Sequence, residues 1–299
     1  MRILLTGTSG QVGGAFRPLL EDGNELLAPK RAELDLASPA TLAAALDRLK
    51  PELLINPAAY TVVDRAEDEA DLAFRVNAEA PSVIARWAAR HRVPLIHFST
   101  DYIFDGSGDA PWREDAPTGP LSVYGASKLA GERAIAEAGG PHLIVRTSWV
   151  YAANGTNFLR TIARLARERK ELRIVADQIG APTSARVITQ AVMSILRAEA
   201  LDIVGRFAKS GGIVNIACTG QTSWQGFASA IVAGLKARGV KLEVETITPI
   251  EAREFPTKAK RPGNSRFDLA RLENVFGVVT PSWNEALAVE LDELASELR

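Results

Sequence analysis

Two short runs gather the residues of this 299-residue sequence that could do chemistry. They are Ser99-Thr100-Asp101-Tyr102-Ile103-Phe104-Asp105-Gly106 and Tyr124-Gly125-Ala126-Ser127-Lys128. On a helix, Tyr124 and Lys128 stand four apart on one face, where a phenol and an ammonium act on the same substrate atom as a proton-transfer unit. A free phenol ionises only near pH ~10, so acid-base work at neutral pH needs something that stabilises the phenolate. A positive charge ~4 Å away, at an effective dielectric of ~20, is worth about 4 kcal/mol, or roughly three pKa units. The spacing therefore predicts that Lys128 lowers the Tyr124 pKa. A hydroxyl from Ser99 or Thr100, at the end of an apolar strand, would hold a substrate oxygen beside the phenol. The plain alternative is that Lys128 pairs with Glu132 on a wet helix face.

The elements that must position these groups read as alternating strands and helices. Arg2 to Thr6 fits a buried parallel strand and runs straight into Gly7-Thr8-Ser9-Gly10-Gln11-Val12-Gly13. A helix from Gln11 to about Glu21 and a strand at Glu25 to Ala28 complete a βαβ unit. Glycines 7, 10 and 13 let the chain turn, let a pyrophosphate approach the backbone and let helix and strand pack closely. A helix at 42–49 precedes a strand at 52–56 that ends in Pro57-Ala58-Ala59-Tyr60-Thr61, small residues where open α/β sheets bind ligands. One long helix is expected from about 68 to 90. Its Asn77 either orients groups near the site or, the reading favoured here, serves a structural role. A strand at 94–98 then delivers Ser99 and Thr100 to the same sheet edge as the glycine loop. Residues 105–121 read as a loop over the site, followed by the Tyr124 helix and a strand at 142–146.

Beyond residue 150 the alternation loosens, with helices near 157–169, 185–200, 223–238 and 283–298 among short strands at 172–175 and 213–217. The fold class is α/β: a Rossmann-type doubly wound parallel sheet with a smaller α/β C-terminal substrate domain. Residues 1–150 are expected to form the dinucleotide-binding domain and 151–299 the mainly substrate-binding one. Segments near 180–218 are the candidates for returning to the first.

Composition narrows the function classes. At 46% hydrophobic and 24% charged, the chain has ample core for a globular protein, and a net charge of −1 supplies no basic face for nucleic acid and no polybasic membrane patch. A single cysteine, Cys218, excludes an intrachain disulfide and a Cys-rich zinc site, and its apolar surroundings make it a buried small hydrophobe. His91, His97 and His142 lack metal-ligand spacing. No stretch approaches the ~18 apolar residues of a membrane span, and Thr6-Gly7 breaks the N-terminal apolar run too early for a signal peptide. The expectation is a cytoplasmic protein.

Together, Gly7-x-x-Gly10-x-x-Gly13, the Ser99 to Gly106 run, Tyr124-Gly125-x-Ser127-Lys128-x-x-Gly131-Glu132, Arg146-Thr147-Ser148-Trp149-Val150-Tyr151, Gly180-Ala181-Pro182-Thr183 and Arg261-Pro262-x-Asn264-Ser265 resemble the extended short-chain dehydrogenase/reductases. The match covers nearly the whole chain. The resemblance implies a reductase that passes a hydride from a reduced nicotinamide to the C4 ketone of a dTDP-linked 6-deoxyhexulose. Tyr124 would be the general acid, Lys128 would tune it and hold the nicotinamide ribose, and Thr100 would hydrogen-bond the ketone. Gly10, Gln11 and Val12 would line the pyrophosphate, Asp35 and Leu36 the adenine, and Ala58, Ala59, Tyr60 and Thr61 the path to the nicotinamide. Asp101 and Trp149 would touch the sugar nucleotide. The plain alternatives are that Trp149 is core and that Asp35 caps the helix after it through Leu36-Ala37-Ser38. Pro57 departs from the alanine commoner in the family. Ala15 stands where some dimeric members use a glutamate to hold magnesium, so no metal is expected, and the state is monomer or homodimer.

The second strand ends Ala28-Pro29-Lys30-Arg31, with two cations and no acid. An acid there would bind a ribose 2′-hydroxyl, whereas cations welcome a 2′-phosphate, so NADPH is the expected cofactor with NADH as the alternative. Two rival readings stand beside the reductase. A sugar-nucleotide dehydratase or epimerase would share Tyr124 and Lys128, but dehydratases that resemble this chain carry an Asp-Glu pair after the threonine, and here Tyr102 follows Asp101. A non-catalytic subunit, like the regulatory partner of methionine adenosyltransferase, would not need Thr100, Tyr124 and Lys128 intact.

Overall fold

The computed structural model describes residues 1–198 and 202–299. In chain order, Arg2–Leu5 (β1), Gln11–Leu20 (α1), Glu25–Leu27 (β2), Leu42–Leu49 (α2) and Leu53–Asn56 (β3) open the fold. Val63–Ala66 (α3), Ala70–Phe74 (α4), Ala80–His91 (α5), Leu95–Thr100 (β4), Val123–Glu137 (α6) and His142–Thr147 (β5) continue it. β1, β3, β4 and β5 of the main sheet are apolar on both faces because helices cover both. Ile3, Leu5, Ile55, Ile96, Phe98 and Val145 pack against Phe16 and Leu20 of α1. The alternate residues Leu4, Leu54, Leu95 and Ile144 pack against Leu42, Leu46, Ile84 and Ile135 on the other face.

After Val150–Tyr151 (β6), Phe158–Glu168 (α7), Glu171–Val175 (β7), Ile179–Gly180 (β8) and Thr183–Ser184 (β9), the chain turns back. Ala185–Ala198 (α8) lays Ile188, Val192 and Ile195 on the α1 face, and beyond Ile203–Ser210 (α9), Gly212–Asn215 (β10) pairs with β5. The result is a six-stranded, all-parallel sheet in the order β10-β5-β4-β3-β1-β2. Thr222–Ser223 (β11), Trp224–Ala237 (α10), Thr246–Ile250 (β12), Ala270–Phe276 (α11) and Trp283–Leu298 (α12) complete the chain. Here Tyr151, Leu159, Phe227, Ile231, Trp283 and Leu287 form a second core that also takes Cys218, buried as expected. β12 pairs with β7, a strand contact that the sequence pattern does not announce.

The single helix expected over 68–90 is three pieces: α4, a π-helical turn at Arg75–Glu79, and α5. The cause lies in α6. A Cβ on Gly131 would stand 2.1 Å from the Asn77 carbonyl oxygen, so the two backbones touch there. The wider turn aims the Asn77 amide at Tyr60, accepting from its N–H at 2.8 Å and donating to its carbonyl at 3.0 Å, and it also donates to Ser127 Oγ at 3.0 Å. Asn77 thus pins the loop after β3 to the Tyr124 helix. That is the structural role expected of it.

Candidate active site

β4 is buried along its length and ends at Thr100, whose hydroxyl accepts from Tyr102 N at 3.2 Å and so starts a tight turn at Asp101–Ile103. The same hydroxyl donates to Asp101 Oδ1 at 3.0 Å, and Ser265 Oγ donates to the other carboxylate oxygen. Facing this turn, Ser122 caps α6 by accepting from Gly125 N at 3.2 Å. Gly125 has no room for a side chain, since a Cβ would lie 2.1 Å from the Tyr102 carbonyl oxygen. Helix and turn therefore press together, and the Tyr102 and Tyr124 rings meet edge to face with centroids 5.4 Å apart. Burial raises the Tyr124 phenol above its ordinary range; a hydrogen bond with Thr100 opposes this, and Asp101 and Tyr102 add to it. Burial also raises Asp101 to about 6, against its hydrogen bonds from Ser265 and Thr100.

Lys128 corrects the simplest sequence argument. Its Nζ donates to the Phe98 carbonyl at 2.5 Å and lies 3.3 Å from His97 Nε2, and it is not among the groups that shift Tyr124. The phenol is raised rather than lowered, because desolvation disfavours the charged form of both groups and the ammonium is turned to the strand. Burial lowers Lys128 to about 8, with Glu132 opposing. The wet-face alternative also fails. Lys128 is 2% exposed, and Glu132 is committed to Arg146, which grips it at 2.7 and 3.0 Å.

The glycine loop lies beside this group, at the carboxyl edge of the same sheet. Gly7 takes φ +60°, and a Cβ on Gly13 would stand 2.1 Å from the Gly7 carbonyl oxygen, so strand, loop and α1 pack as closely as backbones can. Gly10 caps α1 without a side chain, leaving the N–H groups from Gln11 and Val12 onward for a ligand. Gly7, Gly10, Gln11, Val12, Gly13, Ala58, Ala59, Tyr60, Thr61, Thr100, Asp101, Tyr124 and Lys128 all fall at or just after the carboxyl ends of neighbouring strands or on the helices that meet them. Lys30 and Arg31 follow β2 on the same edge. Arg31 is exposed and pairs with Asp35 at 3.2 Å, while Lys30 meets Glu33 through its backbone N–H. Asp35 accepts from Ala37 N at 3.0 Å in a local turn rather than capping a helix, since Ser38 precedes the next helical turn at Pro39–Thr41, and Leu36 is buried in the core.

Four buried polar atoms here have no partner: Gln11 Oε1, Ser99 Oγ, Thr147 Oγ1 and Ser148 Oγ. Orphaned polar groups near a glycine loop fit a bound dinucleotide: its phosphate and hydroxyl oxygens could accept from the three hydroxyls, and an N–H or O–H of the ligand could donate to Gln11 Oε1, which only accepts.

Other site residues lie beyond the reach of motif spacing. The Arg261-Pro262-Gly263-Asn264-Ser265 run, 160 residues away in sequence, clamps the Asp101 turn. Asn264 N donates to Gly106 O at 2.9 Å, Asn264 Nδ2 to Ala110 O at 2.8 Å, and Arg261 reaches Tyr102 OH at 3.4 Å and Asp64 at 2.9 Å. Trp149 is neither plain core nor free. It holds a left-handed backbone at φ +49°, rare for a bulky residue, and its indole stacks on Trp224 with centroids 3.6 Å apart. Near Arg261 opens a cavity of about 310 Å³ lined also by Leu121, Gln178, Phe255 and Lys260.

Comparison with known proteins agrees with this fold. Residues 1–296 match the family described as RmlD substrate binding domain. A dTDP-4-dehydrorhamnose reductase of Burkholderia thailandensis is 44% identical over 299 residues, covering 99% of this chain and 100% of the relative. The crystal structure of a dTDP-4-dehydrorhamnose reductase from Clostridium acetobutylicum superimposes with a TM-score of 0.89 at 33% identity, covering 98% of this chain and 99% of that one. A dTDP-4-dehydrorhamnose reductase from Bacillus anthracis, solved in complex with NADP, also gives a TM-score of 0.89, at 31% identity and with the same coverage. With a family match over residues 1–296 and relatives matched over nearly their full length, the chain belongs to the RmlD substrate-binding-domain family of the extended short-chain dehydrogenase/reductases.

Proposed function

We propose that this protein is an NADPH-dependent reductase that converts the C4 ketone of dTDP-6-deoxy-L-lyxo-4-hexulose to the alcohol of dTDP-L-rhamnose, with NADH as a poorer donor. The observation that carries the reading is the hydrogen-bonded Thr100–Tyr124 pair at the same sheet edge as the glycine loop, in a chain that matches reductases of this class from end to end. A reduced nicotinamide, when bound, supplies the hydride to the carbonyl carbon. Gly7, Gly10, Gln11, Val12 and Gly13 hold the pyrophosphate, Lys30 and Arg31 the adenine-ribose phosphate, and Ala58, Ala59, Tyr60 and Thr61 the stretch between. Asp35 and Leu36 border the adenine. Thr100 positions the ketone oxygen and Tyr124 gives it a proton. A phenol kept above its ordinary pKa is fully protonated at neutral pH, the state a proton donor needs before the reaction. Asp101 and Trp149 contact the sugar nucleotide, and Lys128 orders the ribose and offsets the phenolate once it forms.

Residues 1–150, joined by α8 and β10, form the dinucleotide unit in this proposal, and the rest of 151–299 holds the dTDP-sugar. The protein works in the cytoplasm as a monomer or homodimer, without nucleic acid or membrane. The test is direct: dTDP-4-keto-6-deoxyglucose, a 3,5-epimerase and NADPH are incubated with the protein while nicotinamide absorbance is followed. The expected result is stoichiometric cofactor loss, with kcat falling about 10² to 10⁴-fold in Tyr124→Phe and cofactor affinity unchanged. No loss of absorbance removes the reductase reading. Unchanged turnover in the variant removes Tyr124.

A further inference from the structure

We propose that Glu67 is a positioning residue for Tyr124: its carboxylate takes the N–H of Val123 and so holds the start of α6, and with it the phenol, against the Thr100–Asp101 turn. α6 begins at Val123, which makes Tyr124 its second residue, in the turn where backbone N–H groups find no partner within the helix. Ser122 Oγ takes the N–H of Gly125 at 3.2 Å. Glu67 Oε1, from 56 residues earlier in the chain, takes that of Val123 at 2.9 Å. A carboxylate there also meets the positive end of the helix dipole. Helix ends fray, and a proton donor placed one residue from the end moves with them unless the end is tied down.

A side chain positions its partner only if it is itself fixed, and Glu67 ends a short segment held from several directions. Ala66, the residue before it, is fully buried. Three residues earlier, on the same helical face, Asp64 accepts from Ala259 N at 3.1 Å and from Arg261 at 2.9 Å, and Asp68 pairs with Lys258. At the other end of the segment, Tyr60 is pinned through its backbone to Asn77, whose amide also donates to Ser127 Oγ on α6. Ser127 Oγ donates in turn to the Tyr124 carbonyl at 2.7 Å. Residues 60–67 thus reach α6 on both sides of Tyr124, at Val123 through Glu67 and at Ser127 through Asn77. Glu67 is not among the groups that shift the phenol, so its part is mechanical rather than electrostatic. The catalytic consequence rests on the reductase reading: a cofactor seated along residues 58–61 meets a proton donor already fixed beside Thr100.

Glu67→Ala removes the acceptor, whereas Glu67→Gln keeps one in its side-chain carbonyl. Hydrogen exchange of the Val123 amide, read in ¹⁵N-labelled protein without ligands, should be about tenfold or more faster in Glu67→Ala than in the wild type or Glu67→Gln, the worth of one hydrogen bond. In the turnover assay Glu67→Ala should lower kcat about ten- to a hundredfold, the cost of misplacing a reacting group by up to about 1 Å, with both KM values and the number of cofactor sites unchanged. Glu67→Gln should restore kcat to within about threefold of wild type, since the acceptor is kept. The ratio of kcat in H₂O to that in D₂O should rise in Glu67→Ala, because proton delivery becomes slower, whereas a partly unfolded sample keeps the wild-type ratio. Val123 exchange as fast in the wild type as in Glu67→Ala, a folded Glu67→Ala with wild-type kcat, or a Glu67→Gln as slow as Glu67→Ala overturns the proposal. Should Glu67→Ala not fold, Glu67→Asp keeps the charge but is one carbon too short, and wild-type kcat there counts equally against it. Because exchange needs no substrate, a protected Val123 amide in a protein that fails the turnover assay would refute the reductase reading alone.

Discussion

Gly125→Ala separates the packing of the site from its chemistry. The added methyl carbon would stand 2.1 Å from the Tyr102 carbonyl oxygen, 2.9 Å from its carbon and 3.1 Å from Pro120 Cβ. The first two are backbone atoms, so no flexible side chain can yield. Alanine favours a helix over glycine by about 1 kcal/mol, and forcing extra volume into a packed contact costs about 1–3 kcal/mol, so the net loss of stability should be small, up to roughly 2 kcal/mol. Relief of the clash requires the start of α6 to move off the Asp101 turn by roughly 1 Å. That movement carries Tyr124 away from Thr100, and a misplacement of this size typically costs about 10²-fold in rate. Urea unfolding, cofactor titration and steady-state NADPH oxidation on one preparation should therefore show slight destabilisation, unchanged cofactor affinity and kcat down about 100-fold. A folded variant with wild-type kcat would refute the claim that this backbone contact sets the proton-donor geometry.

Three further outcomes follow from the same structure. NADPH should exceed NADH in kcat/KM by about ten- to a hundredfold, less at high salt, through one charge-assisted contact from Lys30 or Arg31. Kinetics of Lys30→Ala/Arg31→Ala with both cofactors check this, and discrimination that does not move counts against those residues. Asp101→Asn should stabilise the protein at pH 7 by about 2–3 kcal/mol. The folded carboxyl titrates near 6, above its ordinary 3.8, so folding takes up a proton between these values; the penalty grows as pH rises through that window, and the variant's advantage should vanish below about pH 4. Melting at both pH values tests the sign. Glu132→Gln removes the carboxylate from the Arg146 guanidinium, 2% exposed and, among the described residues, otherwise held by Glu114 O and the Phe104 ring, and should cost about 3–5 kcal/mol in denaturant unfolding.

The order of strands and helices through residue 150, the glycine loop, the Thr100 and Tyr124 positions and the burial of Cys218 are legible in the sequence, because each rests on local periodicity or on a motif a few residues long. Apolar runs such as Leu53 to Asn56 report burial on both sheet faces, and Gly7-x-x-Gly10-x-x-Gly13 reports backbone contact within one βαβ unit. What joins distant segments is decided by tertiary structure. The break in the helix around Asn77 follows from Gly131 on another helix, and the Asp101 carboxylate owes its environment to Ser265. Trp149 owes its ring position to Trp224. Lys128 is the clearest case. Four-residue spacing puts it on the same helix face as Tyr124, but spacing says nothing of the Phe98 carbonyl and His97 on the strand beneath, and in a site without water the nearest hydrogen-bond partner, rather than the nearest charge along the helix, decides where an amine points.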